Sequence, residues 1–228
     1  SNNSDAKTFA FSFSDPSFLD RDLQAGISLG YRTNSSSHLP IDTTKLEFSP
    51  SISFPVGKDA TLSIGYRLEN EEIAVKTTED DSTTPPTTVS VDIAPYIADD
   101  VGEKIKSSII FGYNFDRTNS VIEPTSGFKF GVTQQFTGLG GDLTFSKTSV
   151  NLKSYTTLFN DDIILSAELD AGAIAGSGAR ISDRFFLGGD KLRGFEDYGI
   201  GPRDDTFGQA LGGNMYAVAR LEASFPIG

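Results

Sequence analysis

The sequence comes nearest to a built site between residues 177 and 213. That stretch holds Arg184-Phe185-Phe186-Leu187-Gly188-Gly189, then Leu192-Arg193-Gly194-Phe195, then Gly199-Ile200-Gly201-Pro202-Arg203-Asp204. Phe185, Phe186 and Phe195 are too apolar to be left in water, and Gly188, Gly189 and Gly194 permit tight turns, so the segment is expected to fold back and pack. Within it Arg193 calls for a buried carboxylate, because a planar guanidinium held by two hydrogen bonds can lock a loop in place. A glycine-rich stretch with arginines could instead cradle phosphate. No strand-to-helix context and no Gly-Lys-Ser/Thr follows, which argues against that chemistry.

The other inventories of chemistry are nearly empty. The absence of cysteine removes disulfides, thiol nucleophiles and thiolate metal sites together. The single histidine, His38, lies in the Ser-rich turn from Asn34 to Pro40, where a solvated side chain is expected rather than a base or a metal ligand. Glu168 and Asp170 lie two apart on one strand face, where pairing with cations explains them better than acid–base catalysis does. No enzyme, cofactor or metal site is expected. A formal net charge of −12 repels phosphate backbones, and no basic patch offsets it, so nucleic acid is excluded as a partner.

Alternation sets the elements that must position the loop. Apolar or aromatic residues recur at every second position with small or polar ones between them. The first such segment is Phe9, Phe11 and Phe13; the second is Leu23, Ala25, Ile27, Leu29 and Tyr31 set against Gln24, Gly26, Ser28, Gly30 and Arg32. Leu46 to Phe54 and Leu62 to Glu69 follow around a turn at Val56 to Asp59. Ile109 to Phe115 and Phe128 to Val132 come next, around a turn of Pro124, Thr125, Ser126 and Gly127. The remaining strands are expected over Leu143 to Phe159, Ile163 to Ala175 and Met215 to Phe225, which makes about nine in all.

The polar face of these strands is charged or tiny, carries both signs, and includes Glu168, Asp170, Arg220 and Glu222. Such a face suits a hydrated lumen, and the apolar face suits lipid. A soluble antiparallel sandwich also alternates. Against it stand the length of the strands, the aromatics near their ends, and the alternation of short turns with long polar connections. A mean hydropathy of −0.20 and the lack of any apolar run near ~18 residues say nothing against a barrel, because every second residue faces its lumen.

Two connections are long. Thr77 to Lys104 contains Thr-Pro-Pro-Thr and about half of the net negative charge. It is expected to be a solvated loop, with a short helix possible over Ile93 to Lys104 and Asp99 and Asp100 on its wet surface. Its acidic spacing matches no EF-hand. The second long connection is Ser177 to Gly213.

Phe-Phe-x-Gly-Gly followed by Leu-Arg-Gly-Phe and Gly-Ile-Gly-Pro-Arg resembles the motif-bearing loop of the BamA-type outer-membrane assembly family, the bacterial surface antigen family. Gly-Gly-Asn-Met-Tyr-Ala-Val-Ala-Arg-Leu-Glu at 212 to 222 resembles the strand that follows that loop, and Pro124-Thr125-x-Gly127 a periplasmic turn before it. The resemblance implies an all-β fold, an antiparallel transmembrane β-barrel of about sixteen strands behind periplasmic POTRA domains. Residues 1–228 would form part of that barrel, from about the fourth strand to the twelfth, with the first and last strands absent. It also implies that Arg193 sits in the lumen with Glu222 as its partner, that Leu192, Gly194 and Phe195 complete the docked motif, and that Phe185, Phe186, Gly188 and Gly189 pack the loop.

The function so implied is that of an insertase, which folds β-barrel proteins into the bacterial outer membrane by pairing their strands with its own backbone. Its partners would be unfolded outer-membrane protein clients, accessory lipoproteins of the assembly machinery, and the lipid and lipopolysaccharide of the outer membrane. A TamA-like or two-partner-secretion translocation pore shares the motif, and the POTRA domains upstream would discriminate. A passive porin or adhesin barrel is the structural alternative, and it predicts no assembly defect from Arg193→Ala.

Overall fold

The computed structural model describes residues 6–36, 38–80, 87–158 and 163–225. Nine strands form one antiparallel sheet: β1 (Ala6–Asp15), β2 (Gln24–Ser35), β3 (Ile41–Pro55), β4 (Ala60–Val75), β7 (Gly102–Asp116), β8 (Gly127–Gly141), β9 (Phe145–Leu158), β10 (Ile163–Ala175) and β11 (Met215–Ser224). β5 (Thr77–Asp80) and β6 (Thr87–Ser90) pair as a separate hairpin inside the first long connection. Each strand of the large sheet pairs with its neighbour in sequence, so the sheet is a plain meander. Among the described residues it is open between β1 and β11.

Because side chains alternate across a strand, register alone sorts the residues onto two faces. Phe13, Ile27, Pro50, Tyr66 and Ile109 fall on one face, and Glu47, Arg67, Lys106, Lys153, Glu168 and Arg220 on the other. The apolar face is bare: Phe9, Phe11, Phe13, Leu29, Leu46 and Leu221 are all exposed. Ring contacts line it near one end, where Phe115 stacks between Phe128 and Phe130 at 5.3 and 5.5 Å. The polar face is the one that the long connections cover.

The sheet has two unlike ends. The connections after β1, β3 and β7 are compact. In the last of them Asn119 accepts from the backbone of Thr125 and Ser126 at 2.9 and 3.0 Å, which fixes the 117–126 turn. Gly127 enters β8 at φ +97, where a side chain would strike the Arg117 carbonyl. At the opposite end lie the long connections after β4 and β10.

Most expected strands start or stop within a few residues of the observed ones, with β2, β3, β4, β7 and β8 running further than the alternation suggests; Phe159 lies outside the described residues. The expected helix over Ile93 to Lys104 is a single turn, α1 (Pro95–Ala98). Gly102, at φ +106, ends the excursion, and β7 begins there because Gly102 pairs with Ile73. The region expected to be wholly solvated loop instead contains the β5–β6 hairpin, whose threonines suit strand geometry.

The core is small and lies at the long-connection end. Ile41 and Ile73 from the sheet, Ala94 and Ile97 from the first connection, and Ile181 from the second form one buried cluster. Phe145, Ile174, Ala179 and Phe185 form another. The first cluster is thus shared by both long connections.

Candidate functional site

The 177–213 connection enters over the polar face through one 3₁₀ turn, Ile181–Asp183. The Asp183 carboxylate accepts from the Arg180 backbone N–H at 3.1 Å, and the Asp183 N–H returns to the Arg180 carbonyl at 2.9 Å. That reciprocal cap closes the turn and points the Arg180 side chain into the wall.

There Arg180 donates through Nη1 to the Glu71 carbonyl (3.0 Å) and Oε2 (3.3 Å), and through Nη2 to the carbonyls of Gly102 (2.6 Å) and Asp100. Glu71 is fully buried. Around it Lys106 lies 2.8 Å from Glu71, 3.2 Å from Glu69 and 2.8 Å from Asp183, while Lys45 lies 2.8 Å from Glu71 and 3.3 Å from Glu69. Three cations thus meet three carboxylates, which is the condition under which buried charges are tolerated. The β7–β8 register shift at Lys106, where Gly141 rather than a residue with a side chain stands opposite, falls at this point.

The Asp100 carboxylate accepts from the Ile181 N–H at 2.6 Å, so the first connection also holds the second. Burial pushes its pKa above the ordinary carboxylate value, against the lowering effects of that hydrogen bond and of Arg180. Gln209 completes the link from the other side: its Oε1 accepts from Ala94 N at 2.8 Å and its Nε2 donates to the Asp92 carbonyl at 2.9 Å. Asp100, expected in water, is therefore a structural acceptor.

Phe185 packs under Tyr216 with ring centroids 4.6 Å apart, and Lys147 sits 4.6 Å above the Phe185 ring while donating to the Asp183 carbonyl at 2.6 Å. Gly172 makes room for this group, since a Cβ there would come within 2.6 Å of both rings. Phe186 packs against the first core cluster and against Tyr198, at 4.6 Å. His38 is exposed, as its serine-rich surroundings suggest, and stacks on Tyr198 at 5.3 Å. Gly188 and Gly189 both have positive φ, and side chains there would collide with Glu196 and Asp197.

The Leu192-Arg193-Gly194-Phe195 motif lies further out. Arg193 Nη1 is 3.9 Å from Glu222 Oε1, the side chains being 91% and 51% exposed. Phe195 is exposed, Gly194 takes φ +91, and Leu192 follows the 3₁₀ turn Gly189–Lys191. The strand pair beneath is occupied by Arg220, which reaches Glu168 at 2.6 Å and Asp170 at 3.1 Å and also donates to the Lys191 carbonyl at 3.0 Å. Glu168 additionally meets Lys153 at 3.4 Å. Among the described residues, the arginine gripped in a dry site is Arg180, which the sequence does not single out. The available signal was the run Glu69, Glu71, Lys104 and Lys106, opposite charges on adjoining strands.

A model of the Omp85 superfamily domain matches residues 1–228. The chain belongs to the Omp85 superfamily. Among proteins similar to this Omp85 chain, the outer membrane protein assembly factor BamA of Neorickettsia risticii (strain Illinois) is 26% identical over 223 residues, 96% of this chain and 28% of that protein. The factor of the same name from Nitratidesulfovibrio vulgaris (strain Hildenborough) is 30% identical over 225 residues, 94% of this chain and 26% of that protein. The chain thus spans about a quarter of the length of these relatives. The crystal structure of BamA from Haemophilus ducreyi lacking POTRA domains 1–3 superposes with a TM-score of 0.79 at 20% identity, covering 98% of this chain and 46% of that one.

The likeness assigns the fold, a membrane β-barrel wall, and with it the sense of the two faces. In an Omp85 barrel the bare aromatic face meets lipid and the face under the long connections meets the lumen. The Arg180–Glu71–Lys106 cluster is lumenal, and the connections that it holds lie at one mouth of the barrel.

Proposed function

We propose that the protein to which this wall belongs is an outer-membrane assembly factor that folds and inserts β-barrel clients. What carries the reading is similarity along nearly the whole chain to two proteins named as such factors, joined to a lumenal face over which the motif-bearing connection is held in a fixed pose. No covalent step is needed: client strands gain backbone partners and bury apolar surface in lipid, and that supplies the driving force. Its partners are unfolded outer-membrane proteins, with accessory lipoproteins and the membrane's lipid and lipopolysaccharide around it. It resides in the bacterial outer membrane.

Within that machine, Leu192-Arg193-Gly194-Phe195 is the part of the connection that acts, with Glu222 as the partner of Arg193, while Phe185, Phe186, Gly188 and Gly189 set its pose. The test is replacement of the full-length protein in cells by Arg193→Ala, with folded outer-membrane proteins measured by heat-modifiable gel mobility. A fall in folded clients at unchanged levels of the protein itself is expected. Normal client levels would remove the functional role of the motif and leave a passive barrel.

A further inference from the structure

The lipid-facing wall carries an apolar depression. An apolar groove of about 530 Å³ crosses β1 to β4 and reaches β7 near the short-turn end. Phe13, Ile27, Ile52, Tyr66 and Ile109 line it, and the short outward side chains Ala25 and Pro50 leave it open between them. Proline is foreign to the interior of a sheet, because it has no N–H to give the ladder. The recorded β3–β4 pairs accordingly run from Phe48↔Leu68 to Ser51↔Gly65 and skip Ser49 and Pro50.

The mouth of the groove is also built at a cost. Phe18 closes it from the β1–β2 turn, where the consecutive non-glycine residues Leu19 and Asp20 take φ of 59° and 55°. Such backbone is unfavourable for side-chain-bearing residues and persists only where the surroundings hold it. Phe18 N donates to the Leu23 carbonyl at 2.8 Å and the Phe18 carbonyl accepts from Arg21 N at 3.3 Å, so the turn holds Phe18 against the groove and leaves Leu19 exposed.

We propose that this groove seats one acyl chain of a phospholipid from the leaflet at the short-turn end. The inference rests on the bare face meeting lipid, not on the assembly function. A groove that no neighbouring side chain fills forfeits dispersion contacts along its walls, and a flexible hydrocarbon chain restores them. A polypeptide strand fits less well, because the strands around the groove already pair with one another and turn side chains, not free backbone donors, toward it. Asp15 is the charged residue of its lining, and a carboxylate does not attract a phosphate, so the hydrocarbon rather than the headgroup supplies the affinity.

The test uses the full-length protein, purified in detergent and weighed by native mass spectrometry. Wild type is expected to retain one phospholipid, and Ala25→Phe, which fills the groove from the lipid side, to lose it. Equal retention by both, an empty wild type, or a polypeptide bound in place of lipid would overturn the proposal. Should Ala25→Phe not fold, Phe18→Ala opens the end wall instead. Spin-labelled phospholipid in proteoliposomes should then exchange about tenfold faster, the factor that about 1.4 kcal/mol of lost contact gives. Exchange at the wild-type rate would equally overturn it.

Discussion

Arg180 and Glu71 are 109 residues apart in sequence, and the guanidinium of one binds both the backbone carbonyl and the carboxylate of the other, at 3.0 and 3.3 Å. The pair joins the start of the motif-bearing connection to the barrel wall. Both side chains are buried, so each depends on the other for its solvation.

Arg180→Gln should therefore loosen the whole 177–213 connection. Removing one partner of a buried ion pair costs about 3–5 kcal/mol, and the remaining cations Lys45 and Lys106 put the expected loss near the lower limit. Arg180→Lys should rescue little, because a single ammonium cannot serve Glu71, Gly102 and Asp100 from two sides. Limited proteolysis of the connection and urea denaturation would show both effects; a variant cleaved at the wild-type rate would refute them.

Glu71→Gln and Arg180→Gln should not add. Their double variant is expected to be more stable than the sum of the singles by about 1–3 kcal/mol, since each single leaves a buried charge short of a partner. A double-mutant cycle measures this, and strict additivity would mean that the contact contributes nothing.

Gly172→Val should expel Phe185. A Cβ at that position meets the Phe185 and Tyr216 rings at 2.6 Å, and overpacking of this kind costs about 1–3 kcal/mol. Greater protease access to the connection, with strand content unchanged by circular dichroism, is the expected signature.

Asp100 gives a dependence on pH. Its folded pKa is raised by burial, so the folded state holds the proton more tightly than the unfolded one. Its contribution to stability is complete below the unfolded pKa and is lost as pH rises through the folded pKa. Asp100→Asn should flatten that part of the curve. Identical slopes of stability against pH in acid for the two proteins would exclude the assignment.

Arg193→Ala should separate function from stability. An exposed pair at 3.9 Å contributes under about 1 kcal/mol, so the purified variant should denature like wild type even where cells carrying it assemble fewer clients. A large loss of stability would mean that Arg193 is a structural anchor.

The barrel wall was legible because alternation is local: Phe9, Phe11 and Phe13, or Leu62, Ile64 and Tyr66, announce a two-faced strand without reference to anything distant. That the 177–213 connection folds back was legible for a similar reason at Phe185 and Phe186, which pack, but not at Phe195, which is exposed. The cluster that holds the connection was not legible. Glu69, Glu71 and Lys106 look like every other charge on a wet strand face, and only the fold brings Arg180 to them. The short helix possible over 93–104 formed as the single turn α1 and goes no further, because Arg180 claims the Asp100 and Gly102 carbonyls.

Gln209 holds Asp92 and Ala94 by two hydrogen bonds, so the outward connections of β4 and β10 share one hinge-free joint. A displacement of either connection is transmitted to the other. An insertion tolerated in one loop must still leave the other able to close. The two stretches are thereby bound to change together, although the four strands β7 to β10 lie between them in the chain.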